Sequence, residues 1–329
     1  MRRSFWAALC ALGLAAAAPA RAADPVVLQL KWLTQAQFAG YYVAEAKGLY
    51  RKAGLAVTIK PGGPDINPAT VLANGEADVA VDWMAAALAA RDRGAPLVNI
   101  AQVFQRSGMM LTCRRDSGVR RPTDLKGKTV AVWFAGNQYP FLAWMAKLGF
   151  RTDGHNPDVT VLQQGAGVEF IVEKRAACIS TMSYNEYGQV LDAGIRPSQV
   201  VVFRYEDQGV ATLEDGLYTT AAKLADPATR ARLARFLRAS MAGWQYAIAH
   251  QQEAVDIVLR ASPGGGLSLP HQRRMLQEVA KLIPASHHGI GYLDPAAYER
   301  TVDVLLAGGP EPVIRRRPQD AWVHLVGPD

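Results

Sequence analysis

The sequence is poor in the residues and motifs on which most catalytic and metal sites depend. Its 329 residues include three cysteines and six histidines, and no Cys/His spacing resembles a zinc site. It contains no G-x-S-x-G elbow, phosphate-binding loop or H-E-x-x-H helix. The sequence places no histidine in a strand-end loop of a cleft; the six are His155, His250, His271, His287, His288 and His324. These absences predict a site with no catalytic residue, metal or cofactor.

Positive charge is in modest excess and is scattered. The formal charge of +7 falls to +4 when Arg2, Arg3 and Arg21 of a predicted export signal are left out. A nucleic-acid-binding protein would cluster its basic residues with aromatic residues along one element, and only the arginines at 315–317 are consecutive. We therefore expect no nucleic-acid partner and a solvated tail at 315–317.

The first 22 residues are typical of an export signal. A basic start is followed by an apolar run over 5–18 and by the cleavage pattern Ala-Arg-Ala at 20–22. The apolar run is shorter than the ~20 residues that a membrane-spanning helix needs. Cys10 follows the large residue Leu9, which argues against a lipoprotein site. We expect cleavage near Ala22 and a soluble, periplasmic mature protein.

Two cysteines remain in the mature chain, Cys113 and Cys178. Export makes a disulfide possible. Both residues, however, lie in apolar, strand-like stretches, where buried free cysteine is common. The sequence therefore favours two free, buried thiols over a bridge.

Strands and helices alternate along the chain in two successive units. The mature length is enough for two α/β lobes of ~100–150 residues each. Alternation over 28–104 and again over 110–205 predicts two mostly parallel sheets covered by helices. The stretch 216–220 is typical of a strand that returns to the first sheet, and helices follow it. Two crossings between lobes would form a hinge, and a hinged cleft closes on a ligand.

The stretch 28–50, LQLKWLTQAQFAGYYVAEAKGLY, predicts a strand that leads directly into a helix. The strand is Leu28 to Trp32, Thr34 occupies the N-cap position, and Gly48 ends the helix. Free N–H groups then face the mouth of a parallel sheet, where open α/β sheets bind ligands. The candidate ligand-binding residues here are Trp32, Gln35, Gln37 and Tyr41. The alternative is that Trp32 lies in the core and the glutamines are exposed.

Two acidic stretches are further candidates. Asp82 and Trp83 directly follow a buried strand, so the carboxylate can accept a hydrogen bond from a ligand amine and the indole can stack. The alternative is an N-cap and a core tryptophan. Glu214 and Asp215, near the second crossing, are either ligand acceptors or hinge residues, and the sequence does not decide between these roles.

Two aromatic loops complete the predicted site. The loop 133–139, WFAGNQY, carries three aromatic residues beside a strand end, and a glycine there lets the backbone approach a ligand closely. The loop 183–187, SYNEY, offers a ring for stacking and a carboxylate, which alternatively favours the helix dipole. The candidates are Trp133, Gly136, Asn137, Gln138, Tyr139, Tyr184, Asn185 and Glu186. We assign stacking to Trp32, Trp83, Trp133 and Tyr184, and polar contacts to Asp82, Asn137 and Glu186.

Five segments carry a resemblance to a known family: LQLKWLTQAQFAGYYVAEAKGLY, ANGEADVAVDW, DLKGKTVAVWFAGNQYPFLAWM, STMSYNEYGQV and GVATLEDGLY. The chain, from about Val26 to Leu306, resembles the periplasmic substrate-binding proteins of ABC importers for sulfonates, nitrate and thiamine-pyrimidine precursors. The resemblance implies an α/β, type II periplasmic binding fold with two βαβ lobes, a two-strand hinge and a ligand cleft. We expect one lobe at 24–108 plus 209–329 and the other at 109–208.

The resemblance also implies a function. It implies capture of a small planar nitrogen heterocycle, such as a thiamine pyrimidine precursor or a riboflavin-like compound. The partners would be a permease and an ATPase at the inner membrane, and we expect a monomer. A ligand sensor for a membrane receptor would share the fold and the pocket, and it remains an alternative.

An enzyme of similar fold offers a second alternative. The eukaryotic pyrimidine synthase of thiamine biosynthesis, which the chain also resembles, uses a Schiff-base lysine, a first-loop histidine and a cysteine-rich run. Here Asp82 stands roughly where the lysine would be, Gln37-Phe38 replaces the histidine, and 209–216 contains no cysteine. These departures imply binding and delivery rather than synthesis.

Overall fold

The computed structural model describes residues 22–262, 266–285, 287–307 and 311–326. The predicted export signal, with Cys10, lies outside the described residues except for Ala22. No helix within the described ranges is both long enough and apolar enough to cross a membrane.

The described chain contains two sheets of five strands each. In chain order the strands are β1 (Asp24–Gln29), β2 (Leu55–Lys60), β3 (Val79–Asp82), β4 (Leu97–Gln102), β5 (Met109–Arg114), β6 (Thr129–Val132), β7 (Thr160–Gln163), β8 (Cys178–Met182), β9 (Val200–Arg204) and β10 (Gly216–Thr220). The first sheet has the order β2-β1-β3-β10-β4 and the second the order β7-β6-β8-β5-β9. The fold is the expected α/β, two-lobed type II fold.

Each sheet is parallel apart from one strand. In the first sheet β10 runs antiparallel to both of its neighbours, β3 and β4. In the second sheet β5 runs antiparallel to β8 and β9. The prediction that 216–220 returns to the first sheet is therefore confirmed, and the chain passes between the sheets after β4 and again after β9. The residue numbers assigned to the lobe boundaries stay a prediction.

Twelve α-helices cover the sheets in the described part of the chain. They are α1 (Ala39–Ala46), α2 (Leu49–Lys52), α3 (Pro68–Ala73), α4 (Met84–Asp92), α5 (Tyr139–Lys147), α6 (Glu169–Val172), α7 (Glu186–Asp192), α8 (Ala221–Ala225), α9 (Pro227–Ala249), α10 (Gln251–Ala261), α11 (Leu269–Leu282) and α12 (Pro295–Leu306). Three of them begin with a polar cap followed by proline. At the start of α9, for example, the Asp226 carboxylate accepts a hydrogen bond from Thr229 N at 2.8 Å.

The first helix starts later than the sequence predicts. The strand β1 ends at Gln29, a 3₁₀ turn occupies Ala36–Phe38, and α1 follows it. Thr34 is not the N-cap, because Gln35 and Phe38 occupy the N-cap positions of the 3₁₀ turn and of α1. The Thr34 hydroxyl instead contacts the Tyr42 hydroxyl at 2.9 Å. The residues between β1 and this turn therefore form a loop, which leaves room for side chains to point toward the second sheet.

Cys113 and Cys178 form a disulfide, so the prediction of two free thiols is wrong. The cysteines are fully buried, as expected. They lie directly opposite each other in the antiparallel pair formed by β5 and β8. This cross-strand register places the two sulfur atoms together, and it depends on strand pairing between segments that are distant in the sequence.

The arginines at 315–317 are exposed, as the sequence predicts. They do not all lie free in solvent, however. Arg317 pairs with Glu299 and Asp303 on α12, each at 2.5 Å. The segment is thus held against the first lobe by ion pairs on its surface.

Candidate functional site

A small cavity lies where the strand ends of the two sheets meet. The first lobe contributes the loop after β1 and the residue after β3, and the second lobe contributes the loops after β6 and β8. The lining residues are Lys31, Trp32, Gln35, Gln37, Trp83, Trp133, Asn137, Met182, Tyr184, Asn185 and Glu186. Nine of these eleven were predicted from the sequence; Lys31 and Met182 were not.

Three indoles from the two lobes meet in this cavity. The Trp133 ring of the second lobe packs edge-to-face against Trp32, with 6.1 Å between ring centroids, and against Trp83, at 6.4 Å. The Trp133 indole N–H donates to the Gly165 carbonyl at 3.1 Å, which fixes the orientation of the ring. On the other side of the cavity the Tyr184 ring packs edge-on against Phe104. The arrangement gathers several flat apolar surfaces around one small space.

A chain of buried hydrogen bonds positions the first-lobe side of the cavity. The Gln35 amide donates to Gln37 Oε1 at 2.7 Å, and Gln37 donates to Asp215 Oδ2 at 2.8 Å. The indole N–H of Trp83 donates to the other oxygen of Asp215 at 3.0 Å. Both glutamines are buried, so the alternative of exposed glutamines is wrong. Asp215 lies behind the cavity lining and holds Trp83 in place.

Lys31 brings a buried cation to the cavity. Its Nζ donates to Asn137 Oδ1 of the second lobe at 2.5 Å and lies 3.8 Å from the centroid of the Trp83 ring. Burial lowers the pKa of this ammonium, and Asp82 is the carboxylate that opposes the shift most. Lys31 was not among the residues predicted from the sequence. Its position, as a charged residue inside an apolar run at a strand end, was the one signal that could have indicated it.

Glu186 is the carboxylate that lines the cavity. It accepts hydrogen bonds from Met182 N at 3.0 Å and from the Asn185 amide at 2.7 Å. Burial raises its pKa to about 7, and these hydrogen bonds oppose the shift. Glu186 also begins α7, so its predicted position at a helix N-terminus is confirmed, and the side chain faces the cavity as well.

Asp82 lies beneath the cavity rather than in its lining. Its Oδ1 accepts a hydrogen bond from Trp83 N at 2.8 Å, whereas its buried Oδ2 has no hydrogen-bond partner among the described residues. Burial raises the pKa of Asp82 to about 7, and nearby Lys31 opposes the shift. Asp82 is not a side-chain cap of the following helix, because Trp83 occupies the N-cap position of α4.

Glu214 connects the two crossing segments. It accepts hydrogen bonds from the Ser107 hydroxyl at 2.6 Å and from the backbone N–H groups of Gly108 and Met109, each at 3.1 Å. These donors belong to the first crossing and Glu214 to the second, so the carboxylate joins the two crossing segments, and a hinge role for it stays a prediction. Burial raises its pKa to about 8.

Four other predicted site residues lie outside the cavity. Gly136 has a φ of +101° and packs so closely on Ala86 of α4 that a Cβ would lie 2.7 Å from the alanine methyl group. Three side chains have local or core partners: Gln138 accepts from Gly136 N, the Tyr139 hydroxyl from Arg93, and Tyr41 packs on Trp244. The loop 134–139 thus contacts the first lobe, and a ligand-binding role for these four residues stays a prediction.

His271 reaches the cleft although no histidine was expected there. It lies on α11, and its Nε2 is 2.9 Å from Oδ1 of Asn185, which lines the cavity. Burial and the neighbouring Arg274 lower its pKa. In the described part of the chain no group of three His, Cys, Asp or Glu side chains is placed to hold a metal ion.

The buried carboxyl groups predict how stability depends on pH. Folding raises the pKa of Asp82 and Glu186 to about 7, of Glu214 to about 8 and of Asp215 to about 6. Their contribution to stability is full below the unfolded pKa of about 4 and is lost as the pH rises through about 6 to 8. His271, with its lowered pKa, acts in the opposite direction below about pH 6.5. We expect the Tm of the ligand-free protein to fall between about pH 5 and 8.

Two variants test this expectation by circular dichroism at several pH values. Asp82→Asn should flatten the slope and raise the Tm at about pH 8 by several degrees, because it removes one buried ionisable group. Asp116→Asn is the matched control, since paired Arg114 lowers the pKa of this surface carboxyl. A Tm that rises steadily from about pH 5 to 8 in the wild type would contradict the electrostatic description.

Residues 35–254 match the protein family described as NMT1/THI5 like. The chain belongs to this family. A riboflavin-binding protein, RibY, from Chloroflexus aurantiacus is 27% identical over 311 residues, which cover 89% of this chain and 84% of the relative. A formylaminopyrimidine-binding protein from Halalkalibacterium halodurans is 22% identical over 240 residues, covering 72% and 71% of the two chains.

A solved structure shares the fold. The alkanesulfonate-binding protein SsuA from Xanthomonas axonopodis pv. citri, bound to MOPS, matches with a TM-score of 0.64 and 18% sequence identity. The match covers 87% of this chain and 94% of SsuA. The two relatives found by sequence are named as binding proteins, and together with the family membership they support a solute-binding role for this chain.

Proposed function

We propose that the protein captures a small planar nitrogen heterocycle in the periplasm and delivers it, as a monomer, to an ABC permease and ATPase at the inner membrane. The observation that carries this proposal is the convergence of indoles from both lobes on one cavity that also holds a buried carboxylate. Aromatic faces bind planar rings, and a few polar groups fix their orientation. No step of this function makes or breaks a bond in the ligand.

The charges around the cavity favour a ligand that donates hydrogen bonds. Glu186 lines the cavity, and Asp82 and Asp215 lie behind it, whereas Lys31 is the one cation in the lining. No arginine lines the cavity in the part of the chain that the structure describes. An anion such as a sulfonate would meet three carboxylates and one ammonium that already contacts Asn137. Ring N–H and amino groups, in contrast, would find acceptors.

The packing around the cavity favours a single ring over a flavin. Trp133 packs against both Trp32 and Trp83 across this small space, so a three-ring flavin would require a larger separation of the lobes than a single ring. We therefore place aminopyrimidines first among the candidate ligands and riboflavin second. Trp133 lies against Trp32 and Trp83, so a ligand ring held between the lobes would be enclosed by indoles from both sides.

A ligand panel tests this proposal. Purified mature protein would be heated with an aminopyrimidine, riboflavin, a purine or an alkanesulfonate, and any stabilising compound would be titrated by calorimetry. A ligand at 100 times its Kd stabilises by about 2.7 kcal/mol, which corresponds to a rise in Tm of at least about 5 °C. We expect that rise with a heterocycle and not with the sulfonate. Stabilisation by the sulfonate alone would refute the proposal.

A further inference from the structure

We infer that Lys31 competes with the ligand for the Trp83 ring: its ammonium lies over the stacking face of this indole, and a planar ligand that stacks there must displace it. This inference rests on the proposed function, because it concerns the same cavity. It adds a specificity-determining residue that the sequence patterns did not indicate.

The position of the ammonium carries the inference. Lys31 Nζ lies 3.8 Å from the centroid of the Trp83 ring, which is the separation that an atom of a stacked ligand would have. The same nitrogen donates to Asn137 Oδ1 at 2.5 Å. Lys31 therefore occupies one of the flat surfaces that a planar ligand needs, and it uses a polar group of the second lobe at the same time.

The ammonium is held by neutral groups. No carboxylate among the described residues forms an ion pair with the Lys31 ammonium within 4.0 Å. A buried charge without a directly bonded counter-ion keeps much of its desolvation cost. The amide oxygen and the indole face therefore bind the ammonium more weakly than a carboxylate would, and a ligand can replace these interactions.

Asp82 provides the position to which the ammonium moves. Among the four buried carboxylates near Lys31, Asp82 exerts the strongest attraction. Its Oδ2 is buried and has no hydrogen-bond partner within the described ranges. A shift of the ammonium from Trp83 to this oxygen forms an ion pair, uncovers the indole face and frees the Asn137 carbonyl oxygen.

Displacement of the Lys31 ammonium determines which ligands bind. A compound that replaces the ammonium must present a flat face to Trp83 and an N–H donor to Asn137, since both partners lose an interaction when Lys31 leaves. A flexible aliphatic ligand supplies neither. Lys31 thus makes the cavity more selective for planar ligands than the indoles alone would.

Substitution of Lys31 by methionine tests the inference by calorimetry with an aminopyrimidine, or with riboflavin if that is the compound that binds. Lys31→Met keeps the apolar stem and removes the ammonium, so we expect affinity to rise about tenfold or more, because the ligand no longer competes with a desolvated cation–π contact. Lys31→Arg, which retains a cation, should show no such gain. Affinity that is unchanged or weaker in Lys31→Met would overturn the inference.

A second measurement needs no ligand. The Lys31–Asn137 hydrogen bond joins the two lobes, so small-angle X-ray scattering of ligand-free Lys31→Met and Asn137→Ala should give a larger radius of gyration than the wild type. Asn137→Ala leaves the buried charges in place and keeps the test available if Lys31→Met does not fold. Equal radii in all three proteins would overturn the inference. Failure of every heterocycle to bind the wild type would instead overturn the proposed function.

Discussion

Replacing Trp133 with alanine is expected to weaken ligand binding by at least tenfold. Trp133 is the second-lobe indole that contacts both Trp32 and Trp83, so its removal takes away the aromatic surface that closure brings to the ligand. Stacking contributes about 0.5–1.5 kcal/mol beyond area burial, and the lost apolar contact adds to this. Titration calorimetry with the ligand that stabilises the wild type best would measure the change.

Controls for this experiment come from the same chain. Trp322→Ala removes an indole of the first lobe that packs on Tyr298 and His324, away from the cavity, and it should leave affinity unchanged. Glu186→Gln keeps an acceptor for Met182 N but removes the carboxylate, and it should also weaken binding more than tenfold. Wild-type affinity in both Trp133→Ala and Glu186→Gln would remove the site assignment.

Loss of the disulfide is expected to lower the free energy of unfolding more than any other change proposed for this protein. Cys113 and Cys178 are separated by 65 residues in the sequence, and closing a loop of that length in the unfolded chain corresponds to about 4 kcal/mol. We expect the double variant Cys113→Ser, Cys178→Ser to unfold at a clearly lower urea concentration than the oxidised wild type. Equilibrium urea unfolding, followed by circular dichroism, would give the difference in the free energy of unfolding.

The wild type itself provides the matched control for the disulfide. Wild type unfolded and refolded in the presence of a reductant should have nearly the stability of the double variant, because both lack the cross-link. Reductant added to the native protein should act slowly, since both cysteines are fully buried. Equal stability of the oxidised wild type and the double variant would show that this bridge does not form in the exported protein.

The sequence predicted the features that depend on local patterns. Alternating apolar runs and helical segments indicated two α/β units, and the isolated strand at 216–220 indicated a return to the first sheet. The polar residue followed by proline at 226–227 is a local start signal of this kind, and α9 begins at Pro227. The aromatic residues at strand ends, such as Trp83 and Trp133, proved to line one cavity because strand ends of both sheets meet there.

The sequence did not predict features that depend on how distant segments meet. The disulfide requires the register of β5 against β8, which no local pattern encodes. In the loop 134–139, Asn137 faces the cavity while Gly136 packs on Ala86, and irregular backbone gives no periodicity from which to infer that difference. Lys31 was overlooked because a lysine at a strand end usually extends into solvent.

A crystal structure of the mature protein with the best-bound heterocycle tests the central claim most directly. The account predicts that the ring lies about 3.5–4 Å from the face of Trp83 and contacts Trp133, with an N–H of the ligand donated to the Asn137 carbonyl oxygen and the Lys31 ammonium moved toward Asp82. A ligand bound elsewhere on the protein, with the three indoles still packed on one another and Lys31 still bonded to Asn137, would contradict it.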